Sequence, residues 1–294
     1  MGREASIPLL CALFVLLWSS GFVGAKYSLD YAGSFTILFW RYLLVVAVLA
    51  LLVSVTRSWQ LLPRSELQRH VTVGLLAHTL WLVSIWFSIE LGLSAGLAAF
   101  IAALQPLLTG LLSARMTGEA VSVRAWLGLL LGLLAVALVI GDGIALGGPL
   151  LAFLLPFVAV FSITLASLIE RNANVATRSS TPVLLVTFIH CAISWLAILP
   201  CAWIVEGFAA QWNGSLVFAI VWLGLLVSLG AYGLMFLLLR HLSAAGVASL
   251  TYLSPPVTMV AAWLAFGETL SGTALVGLGL AAIAVLLTLL PGKA

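Results

Sequence analysis

Long apolar runs, separated by short polar connections, occupy most of the chain. Ten such runs are present, at about residues 7–26, 34–55, 71–90, 95–114, 124–141, 149–170, 182–205, 214–238, 244–266 and 272–290. Each is close to the roughly 20 residues that a helix needs to cross the hydrocarbon core of a bilayer. Strands of a membrane barrel would instead alternate apolar and polar residues over about ten positions. The pattern therefore predicts an all-α integral membrane protein with ten transmembrane helices.

The two halves of the chain repeat one another. A shift of 149 residues aligns them without a gap, placing Ser94 on Ser243, Pro106 on Pro255, Gly118-Glu119 on Gly267-Glu268 and Gly128 on Gly277. A repeat of half the chain length indicates a duplicated unit. We predict one five-helix repeat over residues 1–145 and a second over residues 146–294.

The composition excludes a soluble protein. Hydrophobic residues make up 64% of the chain and charged residues 7%, against roughly 25% charged residues in soluble domains. The net charge is only +3 and no basic run is present, so no nucleic-acid partner is expected. Cys11, Cys191 and Cys201 all lie inside apolar runs, which predicts neither a disulfide framework nor a metal site. No cofactor is expected.

The first apolar run has two interpretations. Arg3 precedes it and Val23-Gly24-Ala25 resembles a cleavage site, as in a secretory signal peptide. Further apolar runs follow it instead of a soluble domain. A retained transmembrane helix is therefore the favoured interpretation.

The distribution of basic residues predicts the orientation of the chain. Five spans per repeat make the second half enter the membrane in the opposite sense to the first, which is typical of secondary transporters. If the N-terminus is cytoplasmic, ten of the 12 Lys and Arg residues fall on the cytoplasmic side, and only Lys26 and Arg41 lie toward the other side. This excess follows the positive-inside rule. We predict that both termini are cytoplasmic.

Motifs along the whole chain are similar to those of a known transporter family. The carrying residues are Trp18 with Gly21-Phe22, Phe39-Trp40-Arg41-Tyr42, Leu104-Gln105-Pro106 followed by Gly118-Glu119, and in the second half Pro255 with Gly267-Glu268. The chain resembles the bacterial EamA branch of the drug/metabolite transporter (DMT) superfamily. The resemblance implies export of small metabolites across the inner membrane by alternating access. It also implies a central cavity lined mainly by helices one, three, four, six, eight and nine. The chain departs from the family pattern at Ile163, where a Trp is common.

Prolines at equivalent positions of the two repeats mark a candidate site. Pro106 and Pro255 are aligned by the repeat, and Pro256 follows directly. A proline inside a helix frees the carbonyl four residues earlier, which is costly in hydrocarbon unless the carbonyl lines a wet cavity or finds a partner. We predict a helix break or hinge at these prolines, although kinks for packing are the alternative. The polar residues nearby, predicted to bind substrate, are Gln105, Thr109, Thr251 and Tyr252.

His78 is the most informative titratable residue. Trp81 lies three positions later, on the same helix face. Together they could stack on an apolar or zwitterionic substrate, or His78 could change protonation near neutral pH. The alternative is a neutral histidine that hydrogen-bonds to a neighbouring helix. Trp18 and Ser19 of the first helix join the predicted substrate site, whereas the resemblance places His190 outside the cavity.

Charged residues inside the membrane are scarce. Arg41 lies within the second span, and Glu90 ends the third span on the same side, so we predict that they form an ion pair or gate. The alternative for Arg41 is contact with a substrate carboxylate. Glu119 and Glu268 fall in connections, where they are predicted to be structural. Because no carboxylate lies at mid-membrane, carboxylate-driven proton antiport is not supported.

The favoured function is a secondary transporter that exports an amino acid or another neutral, zwitterionic or aromatic metabolite. The expected partners are that small molecule and the lipid bilayer, with a proton or an exchanged substrate open as the coupling species. The alternative is a membrane enzyme or a protein that handles lipid-linked or nucleotide sugars. The chain has no HExxH or GxSxG motif, so no enzyme activity is predicted. Gly128 and Gly132 form a GxxxG motif that packing within one chain explains as well as dimerisation does, so the motif assigns no oligomeric state.

Overall fold

Helices make up every secondary-structure element that the chain shows in its described part. The protein structure is a computed structural model and describes residues 6–105, 107–109, 112, 126–128, 130–132, 134–135, 137–138, 148–176, 181–238, 241–242, 247, 250–269 and 271–289. Pro106, the connection at 118–119 and eight of the 18 residues of the span predicted at 124–141 lie outside these residues. An isolated bridge joins Ala32 to Ala210.

The described residues of the first half begin with three long helices and one short one. Their bounds are Ser6–Leu29 for α1, Ser34–Val55 for α2, Arg64–Glu90 for α3 and Ala95–Ala102 for α4. The α3 helix includes a π-helical segment over Leu75–Leu80. It begins seven residues before the predicted span, because the polar turn that carries Glu66 and Arg69 continues the helix beyond the apolar run.

In the second half, the described residues form five helices. The α5 helix spans Leu150–Ala176 and α6 spans Val183–Ile204. The α7 helix consists of Gly214–Val221, a π-helical segment over Trp222–Ala231 and Tyr232–Leu238. The α8 helix is Ser254–Phe266, preceded by a 3-10 turn over Thr251–Leu253, and α9 is Gly272–Leu289.

Six of these helices, α1, α2, α3, α5, α6 and α7, are long and apolar enough to cross a membrane. Large apolar side chains such as Trp203 and Leu264 are about 70% exposed on the outside of the bundle, at 69% and 71%. An extended apolar exterior of this kind suits contact with lipid. The structure thus confirms the all-α membrane class, while the count of ten helices remains an expectation.

Small residues hold the helices close together at the centre of the bundle. The α2 helix packs along α6, α3 packs on α5, and α1 packs on both α8 and α7. Ala25, Ala98 and Ala262 are fully buried. At Gly74, a Cβ atom would lie 3.1 Å from the Cα atom of His190. Close backbone approach between α3 and α6 therefore depends on the absence of a side chain at Gly74.

Two carboxylates bind the amino-terminal end of α2. Glu206, after α6, accepts hydrogen bonds from the backbone N–H groups of Phe35 and Thr36, at 3.0 and 2.7 Å. Glu90 accepts from the N–H of Ser34 at 3.3 Å. Helix N-termini carry unpaired N–H groups and partial positive charge, which carboxylates stabilise. These bonds place the α6–α7 connection beside the start of α2.

The matched prolines of the second half lie at a helix start. Pro255 and Pro256 occupy the first turn of α8, where a helix needs no amide hydrogen from its residues. The 3-10 turn over Thr251–Leu253 lies immediately before them. The prolines therefore follow a change in helix geometry between Thr251 and Ser254, and do not interrupt a continuous α-helix.

Candidate functional site

A cavity of about 790 Å³ lies among α1, α2, α3, α6 and α7. Its wall is largely apolar, and the aromatic rings and imidazole that line it are those of Trp18, Phe22, Tyr42, His78, Trp81, Trp86 and Tyr232. Concave sites with apolar walls and a few polar groups are typical of small-molecule binding. We take this cavity, the larger of two adjoining cavities among the described residues, as the candidate binding site.

Both π-helical segments contribute to the wall of the larger cavity. Ala77 and His78 come from the segment in α3, and Val227, Ser228 and Leu229 come from the segment in α7. The 149-residue shift places residues 75–80 on residues 224–229, inside the second π-helical segment. Short π-helical insertions are frequent at functional sites. Equivalent positions of the two halves thus form opposite parts of one cavity.

Arg41 is the one permanently charged side chain that lines the larger cavity within the described chain. It is 5% exposed. Its Nε and Nη2 atoms donate to the hydroxyl oxygen of Ser228, at 3.0 and 2.9 Å, and its guanidinium lies 5.8 Å from the centre of the Trp86 ring. The Ser228 hydroxyl donates in turn to the carbonyl of Leu223 at 2.9 Å. The described ion pairs all involve other residues, so a neutral hydroxyl is the hydrogen-bond partner of this buried cation.

The predicted pairing of Arg41 with Glu90 is not what the structure shows. Glu90 binds the backbone of Ser34 at the start of α2, whereas Arg41 lies about two turns farther along α2 and turns toward α7. Sequence position placed both residues toward the same side of the membrane, but it did not predict the direction of either side chain. Sharing a side was therefore insufficient to predict contact.

His78 lies between two other aromatic rings. Its imidazole centroid is 5.5 Å from that of His190 and 6.1 Å from the ring centroid of Tyr232. The hydroxyl of Tyr42 donates to the His78 carbonyl oxygen at 2.9 Å, which satisfies one acceptor of the π-helical segment. His190 belongs to α6 and is not among the lining residues of the cavity, but it lies directly against the His78 ring.

A smaller cavity of about 310 Å³ adjoins the larger one. It shares Trp18, Phe22 and Trp81 with the larger cavity. Gln105 and Thr251 also line it. These two predicted residues come from different halves of the chain and lie together in one wall, beside the start of α8. Trp18 and Trp81 separate the two cavities.

Other predicted site residues lie outside both linings. Ser19 packs α1 against α8, with its hydroxyl donating to the Ser254 hydroxyl at 3.1 Å. Thr109 donates to the hydroxyl of Thr164 on α5 at 3.3 Å. Tyr252 is half-buried and is not among the lining residues of either cavity. Pro106 falls outside the described residues, so the geometry of the first proline break is not part of the structure.

The lining residues that were not predicted from the sequence include four that contact Arg41 or His78. They are Tyr42, Trp86, Ser228 and Tyr232. The sequence contained a signal for Trp86 and Tyr42, because each lies close to a predicted site residue on its own helix. Ser228 and Tyr232 had none, because they lie in the opposite half of the chain and reach Arg41 and His78 only through the packing of α7.

Comparisons with known proteins agree with this architecture. The model of the family described as "EamA-like transporter family" matches residues 5–141 and again residues 146–290. A search of curated proteins found no match. Among solved structures, 26 chains match. One crystal structure is 20% identical to this chain, with a TM-score of 0.66 and coverage of 98% of both chains. At that identity the likeness shows the fold alone.

Proposed function

Because the chain belongs to the EamA-like transporter family of the DMT superfamily, we propose that it exports a small metabolite bearing a carboxylate and an aromatic or apolar group. The export would run across the bacterial inner membrane by alternating access. The family and the apolar helices make the chain a multi-pass membrane protein of a transporter family. The substrate class rests on one observation, the hydrogen bonding of Arg41.

Arg41 supports a carboxylate-containing substrate. An ionisable side chain within a membrane span is costly and usually marks a substrate or ion pathway. The neutral Ser228 hydroxyl accepts from two of the guanidinium nitrogens, but it contributes no negative charge. A substrate carboxylate would supply that charge and could accept two parallel hydrogen bonds from a guanidinium. Binding the anion would therefore offset part of the cost of burying a guanidinium within a membrane span.

The cavity walls support an aromatic or apolar substrate body. Trp81, Trp86 and Tyr232 surround the space beside Arg41. Aromatic side chains supply large contact areas and prefer stacked or edge-to-face arrangements with other rings. A single guanidinium within an apolar wall matches a monocarboxylate better than a diphosphate. The wall thus favours an amino acid or aromatic acid over a nucleotide sugar.

Polar contacts at both ends of the bundle support alternating access. Lys26 of α1 forms an ion pair with Glu268 after α8, and at the opposite end Arg69 of α3 lies 3.8 Å from Glu170 of α5. The larger cavity lies between these contacts. Opening the bundle at one end, while the other end stays closed, would require breaking only the ion pair at the end that opens. We assign the Arg69 end to the cytoplasm, because the positive-inside rule predicts a cytoplasmic location for the start of α3.

The test compares ligands that differ in one group. Purified full-length protein is titrated with phenylalanine, phenylalaninamide and phenethylamine, the last two lacking the carboxylate. We expect the amino acid to bind at least about tenfold more tightly, since a hydrogen bond to a charged group contributes about 1.5–3 kcal/mol. Arg41→Gln should remove that preference. Arg64→Gln, on an exposed position at the start of α3, is the matched control and should retain it.

Flux then separates transport from catalysis. Proteoliposomes that contain the protein should accumulate the labelled ligand in a saturable manner, and the ligand should be recovered chemically unchanged. Conversion to a product without accumulation would instead favour the membrane-enzyme alternative. Equal affinity for all three ligands, or an undiminished preference in Arg41→Gln, would refute the role given to Arg41.

A further inference from the structure

A cluster of titratable side chains lies outside both cavity linings, at the end of the bundle where α3 begins. His70 of α3, Glu170 of α5 and His190 of α6 each direct one ligand-type atom into it. The Nδ1 atom of His70 is 3.2 Å from Nε2 of His190 and 3.5 Å from Oε1 of Glu170. His70 is 1% exposed and His190 is 8% exposed. Three helices thus bring two imidazoles and a carboxylate together in a nearly closed space.

The spacing of these atoms matches the coordination shell of a small divalent cation. Zinc binds histidine nitrogen and carboxylate oxygen at about 2.0–2.2 Å, usually in a tetrahedron, whose adjacent ligands are then about 3.3–3.5 Å apart. Two of the three separations agree with that value, and all three ligand atoms lie within 4.8 Å of one another. Glu170 is the most exposed of the three, with 29% of its side chain accessible. A rotation of that carboxylate would complete the shell, leaving a fourth position for water.

The hydrogen bonding of Glu170 is incomplete in the described chain. Its Oε1 atom is enclosed and has no hydrogen-bond partner there. A buried carboxylate oxygen without a partner is unfavourable. A cation between Glu170, His70 and His190 would give this oxygen a ligand bond. The nearest permanent positive charge, on Nε of Arg69, lies 3.8 Å from this oxygen, beyond hydrogen-bond distance.

The charged groups around the cluster favour a cation. Glu66 and Glu170 carry two negative charges, and Arg69 carries the positive charge packed against them. The Nε2 atom of His70 is 3.8 Å from Oε1 of Glu66 and 3.2 Å from Nη2 of Arg69. Thr181 donates to the same Glu66 oxygen at 2.7 Å. Because a guanidinium can only donate, Nε2 of His70 accepts from Arg69 in the absence of metal, and Nδ1 carries the proton. Metal binding at Nδ1 would require this proton to move to Nε2, on the side of the ring that faces the Glu66 carboxylate, an arrangement common behind metal-bound histidines.

We propose that His70, His190 and Glu170 form a binding site for one divalent transition-metal ion, with Zn²⁺ as the best fit. Imidazole and carboxylate ligands suit zinc, cobalt and nickel, whereas calcium and magnesium require mainly oxygen. Without metal, a hydrogen bond between the two imidazoles holds the same side chains together.

The site would connect the two halves of the transporter. His70 lies in the first half, and Glu170 and His190 lie in the second. A bound ion would therefore join α3 to α5 and α6 and resist their separation. His190 also contacts the ring of His78, which lines the larger cavity. This regulatory consequence rests on the proposed transport function, because it requires the two halves to move relative to one another.

The first experiment measures metal binding by the full-length protein in detergent. After treatment with a chelator, the protein is titrated with Zn²⁺ by calorimetry and with Co²⁺ by visible absorption, which reports tetrahedral coordination. We expect one ion per chain. His70→Ala and Glu170→Gln should each weaken binding by at least about tenfold, since each removes one ligand. The control is His241→Ala, at an exposed position outside the cluster, and it should bind as the unmodified protein does.

The outcomes are distinct. Failure to bind Zn²⁺ or Co²⁺ at micromolar concentrations would overturn the proposal, and so would equal binding by the Glu170→Gln variant. In either case the side chains of the cluster would share a proton and bind no metal ion. Because His70 is deeply buried, the melting temperature of each variant is measured first. Glu170→Gln is more exposed and keeps the experiment decisive if His70→Ala fails to fold.

A second experiment tests the regulatory consequence. In proteoliposomes, micromolar Zn²⁺ should slow flux through the unmodified protein, and Glu170→Gln should relieve that inhibition. Metal binding without inhibition would keep the site and refute the coupling. Absence of flux without metal would instead count against the proposed transport function, and the calorimetric result would stand independently of it.

Discussion

Trp81 is a side chain whose truncation should affect both binding and stability. It lines both cavities and is 8% exposed. Trp81→Ala should lower the free energy of unfolding by about 3–5 kcal/mol, as truncation of large buried aromatic side chains does. It should also join the two cavities and weaken ligand binding. Thermal unfolding and ligand titration in the same detergent measure the two effects.

Two control variants make the Trp81 prediction specific. Trp81→Phe keeps an aromatic ring and should lose less stability than Trp81→Ala. Trp203→Ala removes a tryptophan that is 69% exposed on the bundle exterior, so ligand affinity should not change. If Trp203→Ala and Trp81→Ala weaken ligand binding equally, the effect is general and the wall assigned to Trp81 is wrong.

The periodicity of the sequence predicted which residues share a face of one helix. It did not predict which residues contact one another across two helices. His78 and Trp81 were predicted to share a face, and both line the larger cavity. Arg41 and Ser228 are 187 positions apart, and no local pattern relates them. The pairing of Arg41 with Glu90 failed for the same reason. Position along a helix axis follows from the sequence, whereas direction around the axis depends on tertiary packing.

At the scale of whole elements, the contact between α3 and α6 gives a sharp test. Gly74→Ala would place a Cβ atom 3.1 Å from the Cα atom and 3.2 Å from the carbonyl oxygen of His190. Because these are backbone atoms, a side-chain rotation cannot relieve the contact. We expect a loss of about 1–3 kcal/mol, as in overpacked interiors, together with weaker Zn²⁺ binding as His70 and His190 move apart. Melting temperature and metal titration provide the measurements.

Gly233→Ala is the matched control for this substitution. Gly233 is also a helical glycine, in α7, but a Cβ atom there would meet nothing within 4 Å. The variant should fold with unchanged or slightly higher stability, since alanine favours helices over glycine. A melting temperature for Gly74→Ala equal to that of Gly233→Ala would show that α3 and α6 are not packed as closely as the structure indicates.

The ends of a helix could be predicted from the sequence where the hydropathy changes sharply. The hydrogen-bond geometry inside a helix could not. The α2 helix was predicted at 34–55 and is Ser34–Val55. The two π-helical segments gave no signal, because a change of hydrogen-bond register does not require Gly or Pro. Composition therefore located the helices, but it did not reveal that the cavity wall contains irregular helix at Leu75–Leu80 and Trp222–Ala231.

At the scale of the whole molecule, the internal repeat was the strongest signal. Its consequence, an inverted arrangement of the two halves, remains a prediction, and the described contacts support it. The connection between α2 and α3 follows the end of α2, whereas the equivalent connection between α6 and α7 pairs with the start of α2 through Ala32 and Ala210. A 22-residue helix is about 33 Å long. Equivalent connections therefore lie at opposite ends of one membrane-crossing helix.

This arrangement predicts the sidedness of two equivalent residues. Gln60 and Ala209 are related by the 149-residue shift, and both are exposed in their connections. In a variant lacking the native cysteines, Gln60→Cys should react with an impermeant maleimide only from the cytoplasmic side. Ala209→Cys should react only from the opposite side. Labelling of intact cells and of inverted vesicles measures both, and detergent-solubilised protein, in which both cysteines should react, is the control.

Reaction of both cysteines from one side would contradict the inverted repeat. It would also remove the basis for placing the His70 cluster at the cytoplasmic end, while leaving its geometry and its metal-binding test unaffected.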